Sequence, residues 1–165
     1  MNSKERISLA LNHKEADRVA IHDAPWFTTV RRWKNEGLPE WTEPQDYFNY
    51  EMESVGADTT FQFPVRIIEE TEEYTIIQAS YGETRKNWKN WISTPECTDF
   101  LVKDRKTWEE YKPMLSMNKT RFDWVTAKSV YERAKSKGRF LYFSCGGGYD
   151  MLQAITGSER LLMAI

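Results

Sequence analysis

Two side chains that could act on a substrate, His22 and Asp23, directly follow the short apolar run of residues 18–21. An imidazole titrates near neutral pH, and a neighbouring carboxylate favours its charged form. Such a pair could therefore position or protonate a substrate, and we predict His22 and Asp23 as the catalytic residues. The alternative is a structural role, in which a hydrogen bond between the two side chains holds the loop.

Aromatic and basic side chains could form a binding pocket near this pair. Ligand sites are mostly apolar with a few polar groups, and Trp26, Phe61 and Phe63 could supply apolar walls. Aromatic residues also fill hydrophobic cores, so plain packing is the alternative reading. Arg31 could bind an anionic substrate, whereas the adjacent Arg32 is expected to be an exposed helix charge.

A second group of candidates surrounds the glycine run of residues 146–148. Such a turn lets backbone approach a ligand closely, although it lacks the spacing of a phosphate-binding or dinucleotide-binding loop. We predict that Cys145, Tyr149 and Gln153 bind substrate, Tyr149 and Gln153 being at helical spacing. For Cys145 the alternative is an inert thiol, since no histidine is close in sequence. We predict no metal site, because the chain has only two histidines and two cysteines, all far apart.

The elements that would hold these residues predict an α/β fold. Apolar runs at 18–23, 56–61 and 139–143 are typical of buried parallel strands, whose carboxyl ends carry the active site in a barrel. A stretch at 65–92, rich in Ile, Thr, Tyr and Trp with a turn at 80–83, predicts inserted β-hairpins, and 93–100 is expected to be a loop. Helices are predicted at 4–11 with Ser3 as cap, at 26–36, from Pro44, after Asp104, at 124–137, at 149–155 and from Ser158 onward.

About three parallel strands cannot close a barrel of eight strands, which typically needs ~250 residues. The helix that starts at Ser158 reaches Ile165 without a Gly, a Pro or a basic last turn to end it. We therefore expect residues 1–165 to be a single partial domain, the amino-terminal part of a (β/α)8 TIM barrel. The exposed edge of its third strand should favour self-association.

Composition excludes several partners and compartments. The net charge is −2 with both signs interspersed, so no basic patch is available for a nucleic acid. The first ten residues contain no apolar run typical of a secretory signal, and no apolar stretch is long enough to span a membrane. We expect a cytoplasmic protein with reduced cysteines and no membrane partner.

Three segments together resemble the uroporphyrinogen decarboxylase superfamily. The most specific is the opening pattern Arg6-Ile7-x3-Leu11-Asn12-His13-Lys14-Glu15-x-Asp17-Arg18-Val19-x-Ile21. The stretch 102–113 is similar to the segment before the third barrel strand of methyltransferase-like members, and 157–162 is similar to the helix after that strand. The matches span nearly the whole chain and correspond to the first half of a family protein.

Departures from the decarboxylase pattern favour the methyltransferase-like members. Decarboxylases carry an R-Q-A-G-R-Y segment whose arginines bind the substrate carboxylates, and residues 25–33 lack it. Gln153 stands where the decarboxylase has a substrate-contacting tyrosine. The resemblance thus implies a corrinoid-dependent methyltransferase with a small-molecule substrate and a corrinoid-protein partner. It also implies a zinc bound in the second half of the barrel, so that this chain itself binds neither cofactor and is inactive alone.

Two alternatives stay open at this point. One is porphyrin biosynthesis by uroporphyrinogen decarboxylation, a lyase reaction. The other is a non-catalytic binding module that uses the aromatic hairpin region.

Overall fold

The structure, a computed structural model, describes residues 1–90 and 94–164. These residues form two compact units, each described by itself below. Unit 1 comprises Met1–Gly56 and Asp123–Ser144, and unit 2 comprises the described residues of 57–122 and 145–164. The end of the predicted hairpin region, at Trp91 and Ile92, lies outside the described residues, as does Ile165.

The elements follow one another along the chain in mixed α/β order. The helices are α1 (Ser3–Leu11), α2 (Phe27–Asn35), α3 (Pro44–Tyr47), α4 (Arg105–Tyr111), α5 (Trp124–Ser136), α6 (Gly148–Thr156) and α7 (Ser158–Ala164), with 3₁₀ turns at Lys112–Leu115 and Lys119–Arg121. The strands are β1 (Met52–Gly56), β2 (Arg66–Glu70), β3 (Tyr74–Gln78), β4 (Thr84–Trp88), β5 (Glu96–Asp99) and β6 (Phe140–Ser144).

Unit 1 is built on a parallel pair of strands. β1 and β6 pair in register from Met52 opposite Phe140 to Gly56 opposite Ser144. Helix α5 packs against both strands. It begins where the Asp123 carboxylate accepts hydrogen bonds from the N–H groups of Val125 and Thr126, at 3.0 and 3.1 Å. This strand–helix–strand arrangement confirms the α/β class. The described residues contain no closed barrel, and the partial barrel remains a prediction.

Two strand predictions in unit 1 were wrong. Within the described residues, 18–23 form no strand, and Val19 is 87% exposed. The segment nevertheless lies beside the start of β1, because the Glu51 N–H donates to the Ile21 carbonyl at 2.8 Å. The strand expected at 56–61 is instead Met52–Gly56, since Glu53 is buried by ionic partners rather than by apolar character.

The strand expected at 139–143 is confirmed as β6, which lies at an edge of its two-stranded sheet in the described residues. Self-association through that edge remains a prediction. The predicted cap of α1 was wrong by one residue. Asn2 accepts from the Glu5 N–H, and the Glu5 carboxylate accepts from the Asn2 N–H, each at 2.9 Å.

Unit 2 contains a four-stranded antiparallel sheet in the order β2-β3-β4-β5. Strands β2 to β4 lie in the stretch where we predict hairpins, whereas the loop expected at 93–100 contains β5. The turn between β3 and β4 requires Gly82, which has φ +84° and would place a Cβ 2.5 Å from the Leu101 side chain. Asp104 caps α4 as predicted, accepting from the Thr107 N–H at 2.8 Å.

The apolar core of unit 2 centres on three buried residues, Phe61, Val102 and Ile155. Phe61 and Ile155 are each only 1% exposed. Further side chains pack against this centre: Phe63, Tyr81, Trp108, Tyr111, Leu115 and Met151.

Candidate functional site

A cleft of about 420 Å³ lies in unit 1 next to His22. Its walls come from the loop after residue 21, from β1 and β6, and from α5. The residues that matter for its chemistry are His22, Asp23, Tyr50, Ser54, Arg133 and Tyr142.

The imidazole of His22 is surrounded by aromatic edges. Its ring centroid lies 6.0 Å from that of Tyr142 and 6.3 Å from that of Tyr50, with interplanar angles of 86° and 74°. Tyr142 of β6 is in register with Ser54 of β1, so both point to the same face of the sheet. The two tyrosine rings, each steeply inclined to the imidazole, therefore line the cleft together with His22.

Sequence analysis missed both tyrosines of this cluster. Tyr142 belongs to a strand that was predicted correctly, and its alternation with Phe140 and Ser144 could have indicated a shared face. Tyr50 immediately precedes β1, but the strand was predicted too late in the chain for this position to be recognised.

Asp23 lies at the cleft without contacting the imidazole. Its Oδ1 accepts a hydrogen bond from the Ala24 N–H at 2.8 Å, and no hydrogen bond joins it to His22 within the described residues. The hydrogen-bonded pair that would hold the loop is therefore not formed, and the catalytic role of His22 and Asp23 remains a prediction. Burial of Tyr50, together with the negative charge of Asp23, raises the pKa of this phenol. The hydroxyl is thus protonated and uncharged at neutral pH.

The other two candidates in unit 1 do not line the cleft. Trp26 precedes α2 and is 57% exposed. Arg31 is exposed on α2, with its guanidinium carbon 5.7 Å from the centroid of the Phe27 ring.

A network of ion pairs includes two residues that line the cleft, the buried Glu53 and the partly exposed Arg133. Arg133 of α5 donates from Nε to both Glu53 carboxylate oxygens at 3.0 Å, and Arg139 Nη1 donates to Glu53 Oε1 at 2.6 Å. Burial acts to raise the pKa of Glu53, but the two arginines outweigh it and the pKa is lowered. Arg139 also binds Asp46, at 2.6 Å. Both arginines are therefore already engaged by carboxylates of the protein.

The opening motif forms a second ion cluster in unit 1. Arg6 is buried and donates to Asp17 from Nε and Nη2, at 2.7 and 2.8 Å. It also pairs with Glu51, whose other oxygen accepts from Arg18 at 2.9 Å. The hydrogen bonds from Arg6 lower the pKa of Asp17 to about 2. These motif residues thus tie α1 and the following loop to the start of β1.

The predicted substrate-binding residues of unit 2 lie in different surroundings. Phe61 and Phe63 pack in the core rather than around a cavity. Cys145 and Tyr149 are exposed, and Gln153 donates to the Ser158 hydroxyl at 2.7 Å in a cleft of about 410 Å³. The space beside Gly146 is filled by the protein itself and not left open for a ligand, because a Cβ on this glycine would lie 2.6 Å from the Thr59 hydroxyl oxygen.

The aromatic face of the hairpin region is covered by a lysine. The Lys86 ammonium lies 4.0 Å from the ring centroid of Tyr74 and 4.2 Å from that of Trp88. A ligand would have to displace this cation in order to stack on either ring.

Neither metal ligands nor membrane spans are found in the described part of the chain. Residues 1–90 and 94–164 contain no group of three or more His, Cys, Asp or Glu side chains arranged to hold a metal ion. None of the described helices combines the length and apolar character needed to cross a membrane. Comparisons with protein-family models, curated proteins and solved structures found no match to this chain.

Proposed function

We propose that this chain is the amino-terminal part of a uroporphyrinogen decarboxylase-like barrel enzyme of the corrinoid-dependent methyltransferase type. The supporting observation is the arrangement around Glu51. Its N–H donates to the Ile21 carbonyl and its carbonyl accepts from the Phe140 N–H, each at 2.8 Å. Ile21 thus contacts the residue before β1, and β1 pairs in parallel with β6. This order of neighbours is the one expected for consecutive strands of a barrel.

The resemblance also gains support from the opening motif. Three residues that carry the similarity form one ion cluster at the amino end of β1: Arg6 and Arg18 pair with Glu51, and Asp17 pairs with Arg6. In a barrel, the amino ends of the strands serve stability, and catalytic groups lie at the opposite ends. The position of the motif at this end is consistent with a shared barrel architecture. It assigns no catalytic role to the motif residues.

The charges of the cleft favour the methyltransferase over the decarboxylase. A porphyrinogen with several carboxylates needs free cationic groups, whereas Arg133 and its neighbour Arg139 already bind Glu53. Asp23 and Glu43 add negative charge to the same walls. Such a cleft repels a polycarboxylate substrate.

The zinc implied by the resemblance has no ligand set among the described residues. The metal and the corrinoid therefore belong, in this proposal, to other parts of the parent enzyme. What this chain contributes is the cleft, in which the His22 imidazole lies beside the Tyr50 and Tyr142 rings.

The proposal is tested on the complete enzyme whose reading frame includes this sequence. We expect the complete enzyme to transfer the methyl group of methylcobalamin to a thiol. The change in the visible absorption spectrum of the cobalamin measures this transfer. His22→Gln should slow transfer at least tenfold if the imidazole acts on a proton. Arg32→Gln, on an exposed helix face, is the matched control and should leave the rate unchanged. Decarboxylation of uroporphyrinogen by the same preparation would favour the alternative function instead.

A further inference from the structure

We propose that the cleft of unit 1 binds a small organic cation of the methylated ammonium class. The inference deepens the proposed function, because it names the substrate class for the same cleft. It depends on three features of unit 1: the ring cluster, the carboxylates around it and the buried position of Tyr50 in the cleft wall.

The ring cluster has the dimensions of an aromatic cage. A cation is attracted to a ring when it lies within about 6 Å of the centroid. The centroids of Tyr142 and Tyr50 lie 6.0 and 6.3 Å from that of His22, at steep interplanar angles. An ammonium beside His22 can therefore contact more than one ring at once. A volume of about 420 Å³ accommodates a trimethylammonium group with a short substituent.

The charges around the rings complement a cation. Asp23, Glu43 and Glu53 line the cleft together with a single cationic residue, Arg133. Glu53 is neutralised by Arg133 and Arg139, which leaves Asp23 and Glu43 as the carboxylates that face the cavity. A bound ammonium would be stabilised by their charge as well as by the rings.

Tyr50 gives the cleft a fixed aromatic wall. The residue is only 7% exposed and lines the cleft together with Asp23. Its ring is thus held in place by packing before any ligand binds.

The test is calorimetric titration of this chain with choline and with 3,3-dimethylbutan-1-ol, an uncharged molecule of the same shape. We expect choline to bind at least tenfold more tightly than the alcohol, because only choline gains the attraction of the rings and carboxylates. Equal affinities, or no binding of either, would overturn the proposal. Sodium chloride at matched ionic strength controls for screening.

Two substitutions and a control locate the site. Tyr142→Leu should weaken choline binding about tenfold, whereas Tyr142→Phe, which keeps the ring, should change it less than threefold. Trp26→Leu removes an exposed aromatic ring outside the cleft and should have no effect. Unchanged binding by Tyr142→Leu would exclude the cage, and circular dichroism of each variant verifies folding.

These results separate the substrate class from the proposed function. Choline binding by a chain whose parent enzyme transfers no methyl group would retain the cation site and exclude the methyltransferase. Methyl transfer by the parent enzyme without choline binding by this chain would exclude the cation site alone.

Discussion

Unit 1 buries Arg6, Glu51 and Glu53, whereas unit 2 buries Phe61, Val102 and Ile155 around a common centre. The charges of unit 1 are satisfied by one another, in pairs that join α1, α5 and the strands. Unit 2 also buries charged side chains, but Arg121 donates to backbone carbonyls such as those of Asp58 and Thr60, at 2.8 Å, and Glu83 pairs with its near neighbour Arg85. The buried ion pairs of unit 1 therefore join elements that are distant in sequence, whereas the buried apolar side chains of unit 2 fill a common centre.

The largest effect is expected from Phe61→Ala in unit 2. Truncating a fully buried phenylalanine removes transfer free energy and leaves a cavity, at a cost of about 3–5 kcal/mol in the free energy of unfolding. Urea denaturation measures it. Trp41→Ala, at a residue 96% exposed, is the control and should change stability by less than about 0.5 kcal/mol. Equal effects at the two positions would contradict the volume-filled core.

In unit 1 the comparable change is Glu51→Gln. It leaves the buried Arg6 guanidinium without its full counter-charge, which should destabilise the fold by about 3 kcal/mol. The matched control is Glu36→Gln, which breaks an exposed ion pair with Arg32 and should cost only about 0.3–0.5 kcal/mol. Equal losses in the free energy of unfolding for the two substitutions would show that the buried ion pair contributes no more to stability than the exposed one.

Acid should weaken the charge network of unit 1. The pKa values of Asp17, Asp46, Glu51 and Glu53 are lowered in the folded protein, that of Asp17 to about 2. The unfolded chain, with carboxyl pKa values of about 4, binds more protons in this range, so stability is complete above about pH 5 and falls toward about pH 2. Thermal midpoints across this range measure the loss. Glu51→Gln should show a shallower decline, and an unchanged decline would exclude Glu51 from the effect.

The smallest effect is expected at Lys86 in unit 2. Lys86→Gln removes the cation from the Tyr74 and Trp88 rings and should cost about 0.5–1 kcal/mol. Lys86→Arg, which keeps a cation at the rings, should cost less. Urea midpoints of the two variants provide the measurement, and a larger loss for the arginine would indicate a packing defect instead.

Local signals predicted the helices and the hairpin strands, but not every element. Asp104 predicts the start of α4 because a cap acts on the next few residues. β1 was displaced in the prediction because Glu53 looks like a surface residue, and its burial depends on Arg133 and Arg139, distant in sequence. The sequence predicts a loop at β5 because Glu96–Asp99 has no apolar alternation, and the strand forms by pairing with β4.

The candidate site was predicted only in part for the same reason. His22 and Asp23 were found from their position after an apolar run, and both line the cleft. Tyr50 and Tyr142 could not be linked to them, since their meeting requires the pairing of β1 with β6. Phe61 and Phe63 were grouped with the site because sequence does not distinguish an aromatic residue in a core from one in a pocket.

The parallel pair of unit 1 has a kinetic consequence. β1 and β6 are joined through a stretch of chain that contains most of unit 2. Loop closure costs entropy that increases with the length of the unstructured connection, so a chain with 57–122 still disordered would bring the two strands together slowly. Early folding of residues 57–122 shortens the unstructured part of the connection between β1 and β6. Destabilising unit 2 should therefore delay the assembly of the cleft during refolding, even though every residue of the cleft belongs to unit 1.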